Sequence, residues 1–165
     1  MQSRSAVALL TAESRAEIDR WLAKYPSEQK RSAVTAALSV AQKQNGGWLT
    51  TELMDAVAEY LQIPPIAVYE VATFYTLFDL KPVGRHKIYV CTNIACMLCG
   101  SEVIVRHLQQ KLGVKFGETT ADSKFTLKES ECLAACAGAP MLMVDGKYYE
   151  DLTPAKVDAI LAGLE

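Results

Sequence analysis

The amino-acid sequence predicts an α+β chain in two parts, a helical bundle over residues 1–80 followed by a βαββα unit over residues 81–165. Three observations carry that reading. Apolar residues in the first part recur every three or four positions, the period changes to two at Lys87-Ile88-Tyr89-Val90, and all five cysteines fall after residue 90. A length of 165 residues suits one domain or two small ones. With 50% hydrophobic and 22% charged residues, the chain belongs with globular proteins that build a core.

Taken in order, Thr11 caps a helix running to about Tyr25, with Ile18, Trp21 and Leu22 on one face and Pro26 as its stop. Ser27 is expected to cap a second helix, whose stripe is Val34, Ala37, Leu38 and Ala41 and whose end is Asn45-Gly46-Gly47. A third helix from Thr51 buries Leu53, Met54, Val57 and Leu61. Pro64-Pro65 closes it and opens a fourth helix through Val68, Val71 and Ala72. Tyr75, Leu77 and Phe78 are candidate contacts for a partner protein, which would give this half a role in assembly.

Beyond Lys81-Pro82-Val83-Gly84 a first strand runs straight into Cys91. Gly100-Ser101 starts a helix ending at Leu112 with Gly113 as its cap, and Phe125–Glu129 alternates as a second strand just before Cys132. Asp145-Gly146 marks a hairpin between 141–144 and 147–149, and Thr153-Pro154 opens a last helix. This order suits a thioredoxin-like layer of helices on a mixed sheet, which by itself carries no function.

The net charge of −2 supplies no basic patch for nucleic acid or anionic lipid. The apolar run Ala6–Leu10 after Met1-Gln2-Ser3-Arg4-Ser5 is too short for a signal peptide, and no stretch approaches the ~20 apolar residues of a membrane span. A cytoplasmic protein is therefore expected, touching a membrane only through partner proteins. Reduced cysteines in that setting more often bind metal or do catalysis than form structural disulfides.

Two cysteine pairs stand out, Cys91-x4-Cys96 after the first strand and Cys132-x3-Cys136 after the second. If those strands are neighbours in one sheet, both loops leave the same edge and four thiolates converge. Sulfur-only coordination suits an iron–sulfur cluster or zinc, and the gaps of four and three residues depart from the two-residue knuckle usual for structural zinc. Two irons with two thiolates each fit these pairs. Cys99 competes, because Cys91-x4-Cys96-x2-Cys99 with one distant cysteine also meets the plant-type pattern. That set leaves one of Cys132 and Cys136 without a purpose, so Cys99 ranks as the spare thiol. Small residues around the second pair, Ala134, Ala135, Ala137, Gly138 and Ala139, let backbone N–H groups approach the sulfurs.

Other chemistry is weaker. His86 and His107 do not pair with a cysteine at short spacing, as a Rieske centre would require. No Gly-x-Gly-x-x-Gly or Walker run is present, so any NADH or flavin belongs to another chain. The pairs Glu129/Glu131 and Glu150/Asp151 read as solvated loop charges. Cys96-Met97-Leu98-Cys99 has the spacing of a dithiol oxidoreductase, and the four paired thiols would equally serve a zinc-stabilised interaction module.

Taken together, Gly46-Gly47-Trp48-Leu49, Val71-Ala72-Thr73-Phe74-Tyr75, Lys81-Pro82-Val83-Gly84-Arg85, Cys91 through Leu98, Glu131 through Cys136 with Ala139-Pro140-Met141, and Tyr148 through Thr153 resemble the E, or 24 kDa, subunit family of NADH:quinone oxidoreductase, respiratory complex I. The resemblance covers nearly the whole chain. It implies a thioredoxin-like ferredoxin domain with one [2Fe–2S] cluster on Cys91, Cys96, Cys132 and Cys136. It also implies docking on a flavoprotein subunit that binds FMN and NADH, within a peripheral arm on the membrane. The same subunit type serves NAD-linked hydrogenases and formate dehydrogenases. Cys99, where members often carry arginine, and Ala134-Ala135, in place of a common Gly-Ala, bear on the cluster's potential rather than its presence.

Overall fold

The computed structural model describes residues 6–164, so Met1–Ser5, used above against a signal peptide, lie outside it. Two compact units divide between Pro82 and Val83. In the first, a single 3-10 turn at Ala6–Leu9 precedes α1 (Ala12–Leu22), a second 3-10 turn at Lys30–Ala33 runs into α2 (Val34–Gln44), and α3 (Thr51–Leu61) and α4 (Pro65–Phe74) follow. Thr11 caps α1 by accepting the Ser14 N–H, and Thr50 caps α3 through the Leu53 N–H.

Three boundaries differ from expectation. Helix α1 ends at Leu22, and the chain continues through turn bonds from Lys24 and Tyr25 while Lys24 Nζ sits 3.5 Å over the Trp21 ring. Ser27 does not cap α2, because its hydroxyl donates to Glu28 and the 3-10 turn supplies the start instead. Helix α3 stops at Gln62, whose left-handed φ of 57° breaks the helix before Pro64 is reached. The buried stripes of α2 and α3 meet as predicted in one core that includes Ile18, Leu38, Leu49, Val57, Leu61 and Val68. Phe78 belongs to that core and is not a surface contact; Tyr75 and Leu77 are exposed, and Phe74, at 77%, is more exposed than either.

The second unit contains β1 (His86–Cys91), α5 (Ile94–Leu98), α6 (Ser101–Leu112), β2 (Phe125–Ser130), β3 (Leu142–Val144), β4 (Lys147–Tyr149) and α7 (Pro154–Ala162). The sheet order is β2-β1-β3-β4, with β1 and β2 parallel and the other pairs antiparallel. It is the expected mixed sheet, with four strands where βαββα counts three, because the hairpin supplies two, and with α5 as an added helix. Alternation divides its sides. Ile88, Val90, Leu127, Leu142 and Val144 share a core with Ile104 and Leu108 of α6 and Val157 and Leu161 of α7. Tyr89 and Met143 pack into a separate small cluster. The β3–β4 turn holds Asp145 at φ 49° and Gly146 at 85°, the left-handed pair that a two-residue hairpin demands.

The β1–β2 register fixes the site. Cys91 pairs with Ser130 at the end of the parallel strands, so the loops that follow leave from the same end of the sheet. That is the arrangement on which the convergence of the two cysteine pairs depended.

Candidate metal centre

Each cysteine owes its position to a strand end. Cys91 is the last residue of β1, where its N–H donates to the Met141 carbonyl at 3.2 Å. The chain then turns into α5, whose N-cap Asn93 accepts the Ile94 N–H at 2.8 Å, and this brings Cys96 round onto the buried face. Cys91 and Cys96 are 3% and 1% exposed and form a small core with Leu133 and Met141, flanked by Tyr89, Ala135, Ala139 and Met143. Cys132 and Cys136 are exposed, the latter opening a 3-10 turn at Cys136–Gly138.

The two cysteine loops are stitched together by polar groups. The Thr92 N–H donates to the Ser130 carbonyl at 3.1 Å, the Thr92 hydroxyl to Glu129 Oε1 at 2.8 Å, and Asn93 Nδ2 to the Glu131 carbonyl at 2.7 Å. Sequence reasoning missed Thr92 and Asn93 and took Glu129 for a solvated charge. The signal available was an Asn directly before a short apolar run, a capping residue that here does a second job with its amide.

Backbone N–H groups approach the sulfurs. Ala134, held at a left-handed φ of 57°, donates to Cys132 Sγ at 3.3 Å. Burial works to raise the Cys91 pKa, but N–H donors from Asn93 and Leu133 and the Cys96 thiol outweigh it, so the group lies below its ordinary value. Cys96 takes the opposite shift: burial first, then its bond to Cys91, push it up to about 11. A metal that binds both sulfurs must displace the Cys96 proton. The charge of Cys136 also bears on Cys96.

Cys99 is the C-cap of α5 and is exposed. Its partner in the Cys-x2-Cys spacing, Cys96, lies inside α5 and is bonded to Cys91, whereas a redox dithiol places its reactive thiol at a helix start. His86 and His107 instead bond Asp145 and Asp158, at 2.6 and 2.9 Å. Among the described residues, no three His, Cys, Asp or Glu side chains gather around a single-ion site.

The donor set fits an iron–sulfur cluster. It is made wholly of thiols in two loops, small residues adjoin the second pair, and N–H groups are aimed at sulfur, as an anionic cluster requires. No helix among the described residues is long and apolar enough to cross a membrane.

The model of the thioredoxin-like [2Fe–2S] ferredoxin family matches residues 18–165. The E subunit of the NADH-quinone oxidoreductase of Rickettsia bellii (strain RML369-C) is 52% identical over 138 residues, covering 84% of this chain and 83% of its own. The mitochondrial NADH dehydrogenase (ubiquinone) flavoprotein 2 of Dictyostelium discoideum is 45% identical over 151 residues, or 92% of this chain and 61% of that protein. In fold, the chain is similar to part of an NAD+-reducing [NiFe]-hydrogenase, with TM-score 0.67 at 21% identity; the match covers 77% of this chain and 22% of that one. The mixed sheet agrees with these likenesses: the chain belongs to the thioredoxin-like [2Fe–2S] ferredoxin family and, within it, to the family of NADH-quinone oxidoreductase E subunits.

Proposed function

We propose that the chain is the [2Fe–2S] electron-transfer subunit of an NADH:quinone oxidoreductase, with Cys91, Cys96, Cys132 and Cys136 as the four ligands. The observation that carries this reading is the parallel β1–β2 pair, which sends both cysteine loops out of one end of the sheet. When bound, such a cluster takes up and gives back single electrons. The chain's own residues do the rest. Cys91, Cys96, Cys132 and Cys136 would hold the cluster; the N–H groups of Asn93, Leu133, Met141 and Ala134 would offset the sulfur charge, and Leu133 and Met141 would keep water from the buried pair.

A hydride from NADH carries two electrons and needs an organic acceptor, which a flavin supplies. This chain has no glycine-rich phosphate loop, so FMN and NADH are bound by an adjacent flavoprotein subunit. The helical unit serves assembly with that partner, with Phe74, Tyr75 and Leu77 as exposed apolar contacts in place of buried Phe78. The complex lies at the cytoplasmic face of the membrane, with this chain in its peripheral arm.

The test is iron and EPR on anaerobically purified chain carrying one serine at a time. About two irons per wild-type chain are expected. Serine at Cys91, Cys96, Cys132 or Cys136 should abolish or greatly weaken the cluster, and Cys99→Ser should keep it. Full iron and an unchanged signal in Cys136→Ser, with loss in Cys99→Ser, would replace this set by the plant-type one. Colourless protein holding zinc would make the chain a structural module.

A further inference from the structure

Glu150 follows the β3–β4 hairpin and lies far from the cysteines in sequence, yet it is built into the loop that carries Cys136. A Cβ added to Gly138 would meet Glu150 Cβ at 2.5 Å and its Cγ and Cδ at 2.6 Å. The glutamate side chain therefore lies flat against the glycine α-carbon, its carboxyl carbon included. Gly138 is buried and ends the 3-10 turn that Cys136 opens. The backbone fastens the same contact on either side: the Asp151 N–H donates to the Gly138 carbonyl at 2.8 Å, and the Leu152 N–H to the Pro140 carbonyl at 2.9 Å. Asp151 stands at a left-handed φ of 49°, which turns the chain back across the loop. Lys156 donates its ammonium to the Asp151 carbonyl at 2.8 Å and keeps its positive charge, which offsets part of the field of a carboxylate here. Among the described residues, no hydrogen bond or ion pair engages the Glu150 carboxylate.

A carboxylate is an unusual group to seat beside a loop carrying a cluster ligand. A cluster with four thiolates is already anionic, and reduction adds one more negative charge. A carboxylate near it opposes that addition and lowers the reduction potential. Glu150 is itself exposed, so solvent screens part of its field, and the contact with Gly138 sets only where its stem lies. From this arrangement we propose that Glu150, seated on Gly138, holds the reduction potential of the cluster down by its charge. The proposal rests on the ligand set given above. Glu150 touches no ligand sulfur; it acts through the field.

The experiment compares full-length wild type with Glu150→Gln and Gly138→Ala. Each is purified anaerobically with its cluster and titrated electrochemically at low and high ionic strength, and reduction is read by EPR. With iron content unchanged, Glu150→Gln should shift the midpoint upward, raising the reduced-to-oxidised ratio at the wild-type midpoint about twofold at low salt. The shift should shrink at high salt. Gly138→Ala, which displaces the carboxylate, should shift in the same direction, and adding Glu150→Gln to it should bring little more. Superimposable titrations of iron-replete wild type and Glu150→Gln would overturn this proposal alone. Loss of the cluster in Glu150→Gln would also overturn it, by making Glu150 a structural strap. Wild type without iron would overturn the ligand set and this proposal with it.

Discussion

The two units bury their side chains to different ends. In the helical unit one continuous core of Ala, Val, Leu and Ile with Met54 and Phe78 takes in the inner faces of α1 through α4, and no cysteine occurs there. In the sheet unit the interior is divided. A purely apolar core fills the space between the sheet and helices α6 and α7, while Cys91 and Cys96 are set apart with Leu133 and Met141. The helical unit thus puts all its interior into stability, and the sheet unit reserves a second interior for chemistry. Loops carry that chemistry, but they are anchored to the ends of two adjacent parallel strands and cross-linked by Thr92 and Asn93. The lesson is that a site on loops gains its rigidity from the strand register beneath it and from polar stitches between the loops.

The largest effect should come from cutting into the undivided core. Leu38 is wholly buried among residues of the helical unit. Leu38→Ala removes three carbons there and should cost about 2–5 kcal/mol, depending on how far the helices close on the cavity. Denaturant unfolding followed by far-UV circular dichroism measures that loss, and visible absorption of the cluster follows the sheet unit in the same samples. Helical signal lost at lower denaturant, with the cluster band unmoved, would sharpen the contrast between the two interiors. A cluster band that shifts in step would break it.

Gly84→Ala attacks the scaffold of the second interior. A Cβ at Gly84 would stand 2.7 Å from the Phe125 carbonyl carbon and 2.8 Å from its nitrogen, and backbone in a strand cannot step aside as a side chain does. The Gly84 N–H also donates to the Thr126 hydroxyl at 2.6 Å. Alanine must push β2 away from its place beside β1, at about 1–3 kcal/mol. Because the same two strands launch both cysteine loops, iron retention should fall along with stability. Unchanged iron after desalting, in a destabilised variant, would show that the loops hold their geometry without help from the register.

How much of this was legible in the sequence follows from how local each cause is. Thr11, Thr153, Pro65 and Asp145-Gly146 act on their immediate neighbours, and each stands where its residue type predicts. Apolar periodicity likewise identified the inner faces of α2 and α3. Helix α5 escaped notice because five residues, with Ile94, Met97 and Leu98 exposed, show no buried stripe. The 3-10 turn before α2 escaped because Ser27 offers a cap signal that its own hydroxyl then spends on Glu28. Phe78 looked like surface until the helices closed around it. At the site, the spacing of the cysteines was local and readable. The bonds from Thr92 and Asn93 across to the second loop, and the seating of Glu150 on Gly138, join residues that meet only after the sheet has formed.

The smallest effect tests whether the sheet unit depends on surface charge where its two long helices meet. Asp158 of α7 accepts from His107 Nε2 at 2.9 Å and from Lys111 Nζ at 3.1 Å, both on α6. These hydrogen bonds, His107 first and Lys111 second, hold the Asp158 carboxyl below its ordinary value of 3.8. A carboxylate depressed by folding contributes stability that is fully present above its unfolded pKa and is lost as pH falls through its folded one. Asp158→Asn should therefore lower the melting temperature slightly at neutral pH, by less than either substitution above, since the group is exposed and screened. The gap between wild type and variant should hold from pH 7 down to about 5, narrow as pH drops below about 4, and close in stronger acid. Salt at neutral pH should narrow it as well. A gap that persists undiminished in acid would assign the effect to packing between α6 and α7 instead of charge, and the sheet unit would then rely on its apolar core as fully as the helical unit does.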